Sequence, residues 1–142
     1  MKESQMQTLF STYIKIHPPI QSEVYELKIC KGTSLPFDSL KLHQEKALLN
    51  CQKDGLFHKI TDPPVFYGMN TRFNSPRPFD CMYLTKVKAF VIILFYKLRK
   101  PKIYIKIPIE NFIKERDISS RKSLTEARAL EIGMPFLVKN NK

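Results

Sequence analysis

The sequence predicts an α/β chain of the α+β kind, with a mixed central β-sheet flanked by helices. Three observations carry that prediction. The apolar run AFVIILFY at 89–96 is far too short to cross a bilayer and suits a central strand buried on both faces. Alternating stretches lie on either side of it, SEVYELKIC at 22–30 and IYIKIPI at 103–109. Helical spacing appears near both ends of the chain. With 142 residues, 43% of them hydrophobic, and ten Phe and six Tyr, the chain can bury a core and has a globular composition. The expectation is a single domain over 1–142 with a loose tail from 134 to 142.

Each element has its own signal. Met6, Leu9, Phe10, Tyr13 and Ile16 follow helical spacing, so a helix is expected over 4–16, stopped by Pro18 and Pro19. A strand follows over 23–30 and ends at Lys31-Gly32. A second helix is expected over 37–53, stopped by Asp54-Gly55. LFHKI at 56–60 reads as a short strand, and TDPPVFYGMNTRFNSPRP at 61–78 as a long loop of the kind that often carries function. FDCMYL and AFVIILFY read as two strands across the turn at 85–88. The basic turn KLRKPK leads into IYIKIPI, whose isoleucines 103, 105, 107 and 109 face one side. A last helix is expected over 124–132, with a capping box from Ser123 to Glu126.

The formal net charge of +11 attracts a polyanion, most often nucleic acid, through counterion release. No basic amphipathic helix points to a membrane surface. MKESQMQTLF lacks the apolar stretch of a signal peptide. Cys30, Cys51 and Cys81 lie far apart without zinc spacing and read as free thiols in a reducing cytosol. No P-loop and no nucleophilic Cys/His or Ser/His pairing is present.

ELK at 26–28 is the only acid-x-lysine triplet in the chain. Strand alternation puts Glu26 and Lys28 on one face with Val24 and Cys30, and Tyr25, Leu27 and Ile29 on the other, facing the core. Taken alone, the triplet reads as a half-exposed ion pair more readily than as a catalytic one. In the next helix Leu40, Ala47, Leu48 and Cys51 form an apolar stripe, with Gln44 in its middle and His43 at its edge. Gln44 either points at the polar strand face or sits at the helix rim.

ELK, then SLPF, then HQEKALL resembles the core of the PD-(D/E)xK nuclease superfamily. The pattern is more closely similar to the bacterial Holliday-junction resolvase family, also called penicillin-binding-protein-related factor A, and to its small phage-borne relatives. The similarity takes in the first helix, RPFDCMYL, AFVIILFY and RKSLTEARALEI. It implies a restriction-endonuclease-like fold and a metal-dependent endonuclease acting on branched DNA. It also implies a homodimer in the cytoplasm of a bacterial or phage-infected cell. By this resemblance Glu26, Lys28 and Gln44 match the motif.

One departure stands out. The family usually supplies an aspartate on a strand before the triplet, and residues 1–25 hold only Glu3 and Glu23 as carboxylates. Glu23 has the wrong parity to join Glu26. Asp80 is the first choice for the missing acid, Asp62 the second and Glu3 the third. Glu26 and Asp80, with the carbonyl of Leu27, would hold Mg²⁺, or Mn²⁺ in its place. Lys28 would polarise the attacking water, and Gln44 would orient the lysine or the water. Arg72 and Arg77 in the long loop, Lys97, Arg99, Lys100 and Lys102 in the hairpin turn, and Arg116, Arg121 and Lys122 before the last helix could clamp phosphates, although a charged turn is usually just solvated. Phe66, Tyr67 and Phe73 could stack on exposed bases or pin the loop to the body. Two other readings remain: a non-catalytic nucleic-acid-binding module on the same fold, favoured by the missing upstream aspartate, and an RNA-binding protein, which rests on charge alone.

Overall fold

Lys88–Phe95 runs through the centre of the molecule, and every side chain from Ala89 to Phe95 is buried. Such a strand leaves no face for water, so apolar layers must cover both sides of its sheet. The computed structural model describes residues 1–60 and 80–138, with 58–60, 80 and 81 placed by backbone alone. In chain order the elements are α1 (Glu3–Ile16), β1 (Glu23–Cys30), β2 (Ser34–Pro36), a 3-10 turn (Phe37–Ser39), α2 (Leu42–Asp54), β3 (Leu56–Ile60), β4 (Asp80–Leu84), β5 (Lys88–Phe95), β6 (Ile103–Pro108), α3 (Ile109–Ile118), β7 (Ser123–Thr125), α4 (Glu126–Ile132) and β8 (Met134–Leu137).

The fold is α+β. A four-stranded mixed sheet has the order β1-β5-β6-β8, with β1 parallel to β5 and the other pairs antiparallel. Two-stranded ribbons join β2 to β7 and β3 to β4. One face of the main sheet, with Phe90, Ile92, Leu94 and Tyr104, packs against Met6 and Phe10 of α1. The other, with Val91, Ile93, Ile105 and Ile107, packs against Leu48 of α2, Phe112 of α3 and Ala129 of α4. No helix among the described residues is long and apolar enough to cross a membrane.

The expected bounds of the first helix, of β1 and of β3 agree with the structure to within a residue. Other expectations change. The second helix starts at Leu42 rather than at 37, because 34–36 is strand and 37–39 a 3-10 turn. β4 does not pair with β5 but folds back on β3, while β5 takes β1 as its parallel neighbour. α3 was not foreseen, because Ile109 continues the alternation of IYIKIPI while also opening the helical spacing Ile109, Phe112, Ile113. The last helix is capped at Thr125, whose Oγ1 accepts from the Arg128 N–H at 3.3 Å, while Ser123 lies in β7. Residues 134–137, expected in a loose tail, form the outer strand β8 against β6. The long loop at 61–78 lies outside the described residues.

Gly133 allows α4 to turn directly into β8 over β6. A Cβ there would stand 2.7 Å from Ile107 Cγ1, 2.9 Å from Ile105 Cγ2 and 3.0 Å from the Lys106 carbonyl oxygen. Gly133→Ala therefore forces the end of α4 off the sheet. It is expected to lower stability by about 1–3 kcal/mol in urea unfolding, the usual range for overpacking.

Burial, and then a hydrogen bond to Glu23, raises the Tyr25 phenol above its ordinary pKa; burial alone does so for Tyr104. A raised phenol stays protonated in the folded chain after the unfolded chain has begun to ionise. Stability is thus retained below about pH 10, the unfolded value, and falls as pH rises beyond it. An alkaline absorbance titration should show these two phenols ionising later than exposed tyrosines, together with unfolding.

Candidate active site

Glu26 and Lys28 share the β1 face that looks toward α2, as alternation requires, and sit beside Val91 and Ile93 in the sheet register. That face is only partly open to water. Val24 and Cys30 on the same side belong to the core beneath α2 and α3, and Tyr25, Leu27 and Ile29 on the other side pack toward α1. Both sides of β1 are therefore lined by core, and the pair is set into an apolar layer. The Lys28 side chain is 15% exposed and that of Glu26 23%.

Gln44, in the first turn of α2, points down onto the pair. Its Nε2 donates to Glu26 Oε1 at 2.6 Å, and its Oε1 accepts from Lys28 Nζ at 2.9 Å. Lys28 Nζ also lies 2.8 Å from Glu26 Oε1, which closes a three-membered ring of side chains. Of the two orientations left open for Gln44, the structure has the one toward the strand. Ala47, placed in the same stripe, is instead exposed; the inward line of α2 runs through Gln44, Leu48 and Cys51, with Glu45 and Leu49 beside it.

A further bond fixes the glutamine. Its Oε1 also accepts from the Lys41 backbone N–H at 3.0 Å, satisfying one of the donors left open at the start of α2. One amide thus caps the helix and holds the strand lysine. With lysine rather than serine or threonine at position 41, the sequence carried no capping signal for this role.

Glu26 Oε1 is occupied by Lys28 and Gln44, while Oε2 accepts no hydrogen bond from the described residues. An open carboxylate oxygen suits a hard, oxygen-seeking cation. The Cys30 thiol, on the same face, is turned onto the carbonyls of Gly32 and Ser34. Among the described residues no group of three or more acidic, His or Cys side chains comes together, so Glu26 supplies one donor and a cation would need another. Asp80 opens β4 opposite Ile60, at the end of the ribbon remote from the start of β5. The side chain of Asp80, and all of Asp62, lie outside the described residues. Glu3 is on α1, which covers the opposite face of the sheet from Glu26. The side chain of Leu27 is also on that opposite face, with its carbonyl in the backbone between the two ring residues.

The basic residues divide into two groups. Lys97, Arg99, Lys100 and Lys102 occupy the β5–β6 turn, which lies beyond the Cys30 end of β1 because Cys30 is in register with Phe95. Lys97 is ion-paired with Glu126. Arg121 and Lys122 line an open groove of about 630 Å³ with Arg116, Ser119, Ser120 and the Leu42–Glu45 side of α2. Arg116 is bound through both terminal nitrogens to Glu45, the neighbour of Gln44. Arg121 and Lys122 have no acidic partner among the described residues, so this groove, which Asp38 also lines, keeps two uncommitted cations. Arg72, Arg77, Phe66, Tyr67 and Phe73 lie outside the described residues.

A second polar cluster was not foreseen. Glu23 Oε2 accepts from the Tyr25 phenol and from Lys106 Nζ, each at 2.5 Å, on the α1 face of the sheet. The parity argument that removed Glu23 from the Glu26 face is borne out. The lone lysine in IYIKIPI, opposite in parity to the isoleucines, was the signal for its partner. Comparison of the chain with known protein families, with curated proteins and with solved structures gives no match.

Gln44→Leu would remove three hydrogen bonds and leave Lys28 and Glu26 with only each other. It is expected to cost about 1–3 kcal/mol in denaturant unfolding. Ala47→Lys, on the exposed side of the same helix, should change stability by less than about 0.5 kcal/mol.

Proposed function

We propose that this protein is a metal-dependent endonuclease of the PD-(D/E)xK type, acting as a homodimer on branched DNA in the cytoplasm of a bacterial or phage-infected cell. The observation that carries the reading is the closed ring of Glu26, Lys28 and Gln44. It combines an acid, an amine and an amide on a β-strand and the helix above it, with one carboxylate oxygen left open. A buried-facing ion pair is a poor source of stability, so its placement in an apolar layer favours a chemical role.

Glu26 and Asp80, with the Leu27 carbonyl, would hold Mg²⁺ or, in its place, Mn²⁺. When bound, such an ion supplies charge neutralisation at the scissile phosphate and a more acidic water. Lys28 gives the one N–H left over from Gln44 and Glu26 to the attacking water, and its charge stabilises the phosphate oxygen on which negative charge builds. The water oxygen bonds to phosphorus, one P–O ester bond breaks, and a proton passes to the leaving alkoxide. Gln44 keeps the lysine in place through Oε1 and the carboxylate in place through Nε2. Arg121 and Lys122 hold the neighbouring backbone phosphates, and the cations of the β5–β6 turn extend the same track. Two symmetric cuts in a four-way junction call for two copies of the site, which is the reason for the homodimer.

A second reading, a nucleic-acid-binding module without catalysis, is favoured by one feature: Lys28 and Glu26 already neutralise one another, and the described site holds a single carboxylate. Cleavage of labelled four-way junction, duplex and single-stranded DNA with Mg²⁺, Mn²⁺ or EDTA separates the two. The nuclease reading expects metal-dependent cutting that falls at least about 100-fold in Glu26→Gln, Lys28→Ala and Asp80→Asn while binding persists. Retained cutting in Asp80→Asn alone moves the second acid to Asp62. Tight binding without cutting under either metal overturns the nuclease and leaves the binding module.

A further inference from the structure

On the sheet face opposite the ring, between the end of α1 and the strands, lies a cavity of about 270 Å³. That is near the lower end of the range for small-ligand sites. A row of aromatic rings lines one side. The His17 ring centroid is 4.8 Å from that of Tyr13, and Tyr13 stacks on Phe136 at 5.1 Å and 29°. Pro19 and Met134 complete the mouth, with Met134 and His17 exposed. Below them is the Glu23–Lys106 pair, whose side chains are only 11% and 21% exposed.

The pair has hydrogen-bonding capacity to spare. Glu23 receives both Tyr25 and Lys106 on Oε2, and its Oε1 accepts nothing from the described residues. Lys106 gives one of its three N–H donors to Glu23 and lies 4.1 Å from the centroid of the Phe90 ring, a cation–π contact. An acceptor and a donor therefore stand side by side at the foot of an aromatic wall.

This chemistry selects among ligands. A cation finds the carboxylate already neutralised by Lys106 and the Phe90 face already taken. An anion meets Glu23 beside the ammonium. A purely apolar group leaves the spare donor and acceptor covered and unpaired, which costs free energy. A flat, neutral group with a donor next to an acceptor on its edge satisfies all parts of the site, and nucleobase edges have that character.

The geometry points to this cavity as a binding site for one unstacked nucleobase, with the base packed against the row formed by His17, Tyr13 and Phe136 and its edge read by Glu23 and Lys106. The base comes either from a single-stranded segment or from a free nucleotide. The site stands on its own geometry and does not require cutting at Glu26.

The test is a short oligothymidine carrying one central 2-aminopurine, titrated with the full chain in EDTA. Fluorescence reports stacking of the probe base. Quenching is expected, with affinity at least about fivefold weaker in His17→Ala and in Lys106→Met, the loss typical of one base–aromatic contact. His17→Ala, at an exposed position, keeps the test open should Lys106→Met fail to fold. Equal affinity, measured by competition, for a wholly abasic strand of the same length overturns the pocket, as does quenching that neither variant alters. Quenching of the free 2-aminopurine riboside at comparable concentration identifies a free nucleotide as the occupant, and quenching in the strand alone identifies single-stranded nucleic acid. Because EDTA removes cleavage from the assay, a protein that cuts DNA but does not quench overturns this site alone. One that quenches but never cuts overturns the nuclease alone.

Discussion

Burial of β5 from both sides is the constraint on which the other parts depend. With Ala89 to Phe95 all withdrawn from water, the sheet needs one apolar cover from α1 and another from α2, α3 and α4. The edge strand β1 inherits both covers, being in parallel register with β5 along its whole length. Its alternating side chains are thereby sorted into two different interiors. Each interior receives an acid–amine pair held on strands: Glu26 with Lys28, both of β1, under α2, and Glu23 of β1 with Lys106 of β6 beside α1.

The two pairs are stabilised differently. In the first, an amide from the covering helix spans acid and amine, so the pair is satisfied by side chains of an adjoining layer. In the second, a phenol on the same strand as Glu23 and the face of a phenyl ring do that work, and no helix side chain among the described residues bonds to the pair. Ion pairs largely withdrawn from water are weak contributors to net stability, since desolvation offsets much of the attraction. Removing one member of either pair nonetheless leaves a charge without its partner, which is far more destabilising than the intact pair is stabilising. Both constellations are thus sensitive to single substitutions.

Much of this architecture was legible in the residues. The alternation in EVYELKIC gave β1 its bounds and put Glu26 and Lys28 together, and the unbroken run at 89–96 gave the buried strand. Where legibility failed, short range or ambiguity was the cause. β2 and β7 are three residues each, too short to show a period of two, and exist because they pair with one another across the chain. Ile109 fits a strand and a helix equally, so the alternation ran on and concealed α3. The tail after Gly133 has Pro135 and little alternation, and it becomes a strand because β6 offers an edge to pair with. In the site, the triplet and Gln44 could be read from sequence, but the glutamine's direction was set by a backbone group, the Lys41 N–H, whose availability depends on where the helix starts.

That last dependence has a consequence for how the molecule is put together. A single carbonyl oxygen, Gln44 Oε1, serves the first turn of α2 and the strand lysine at once. Unwinding of that turn loosens its hold on Lys28, and withdrawal of Lys28 weakens the turn, so the two are thermodynamically linked without any moving part between them. The start of the helix and the Glu26 cluster thus reinforce one another. The start of α2 is fixed in part by the strand beneath it: the helix begins where its third residue can answer to both.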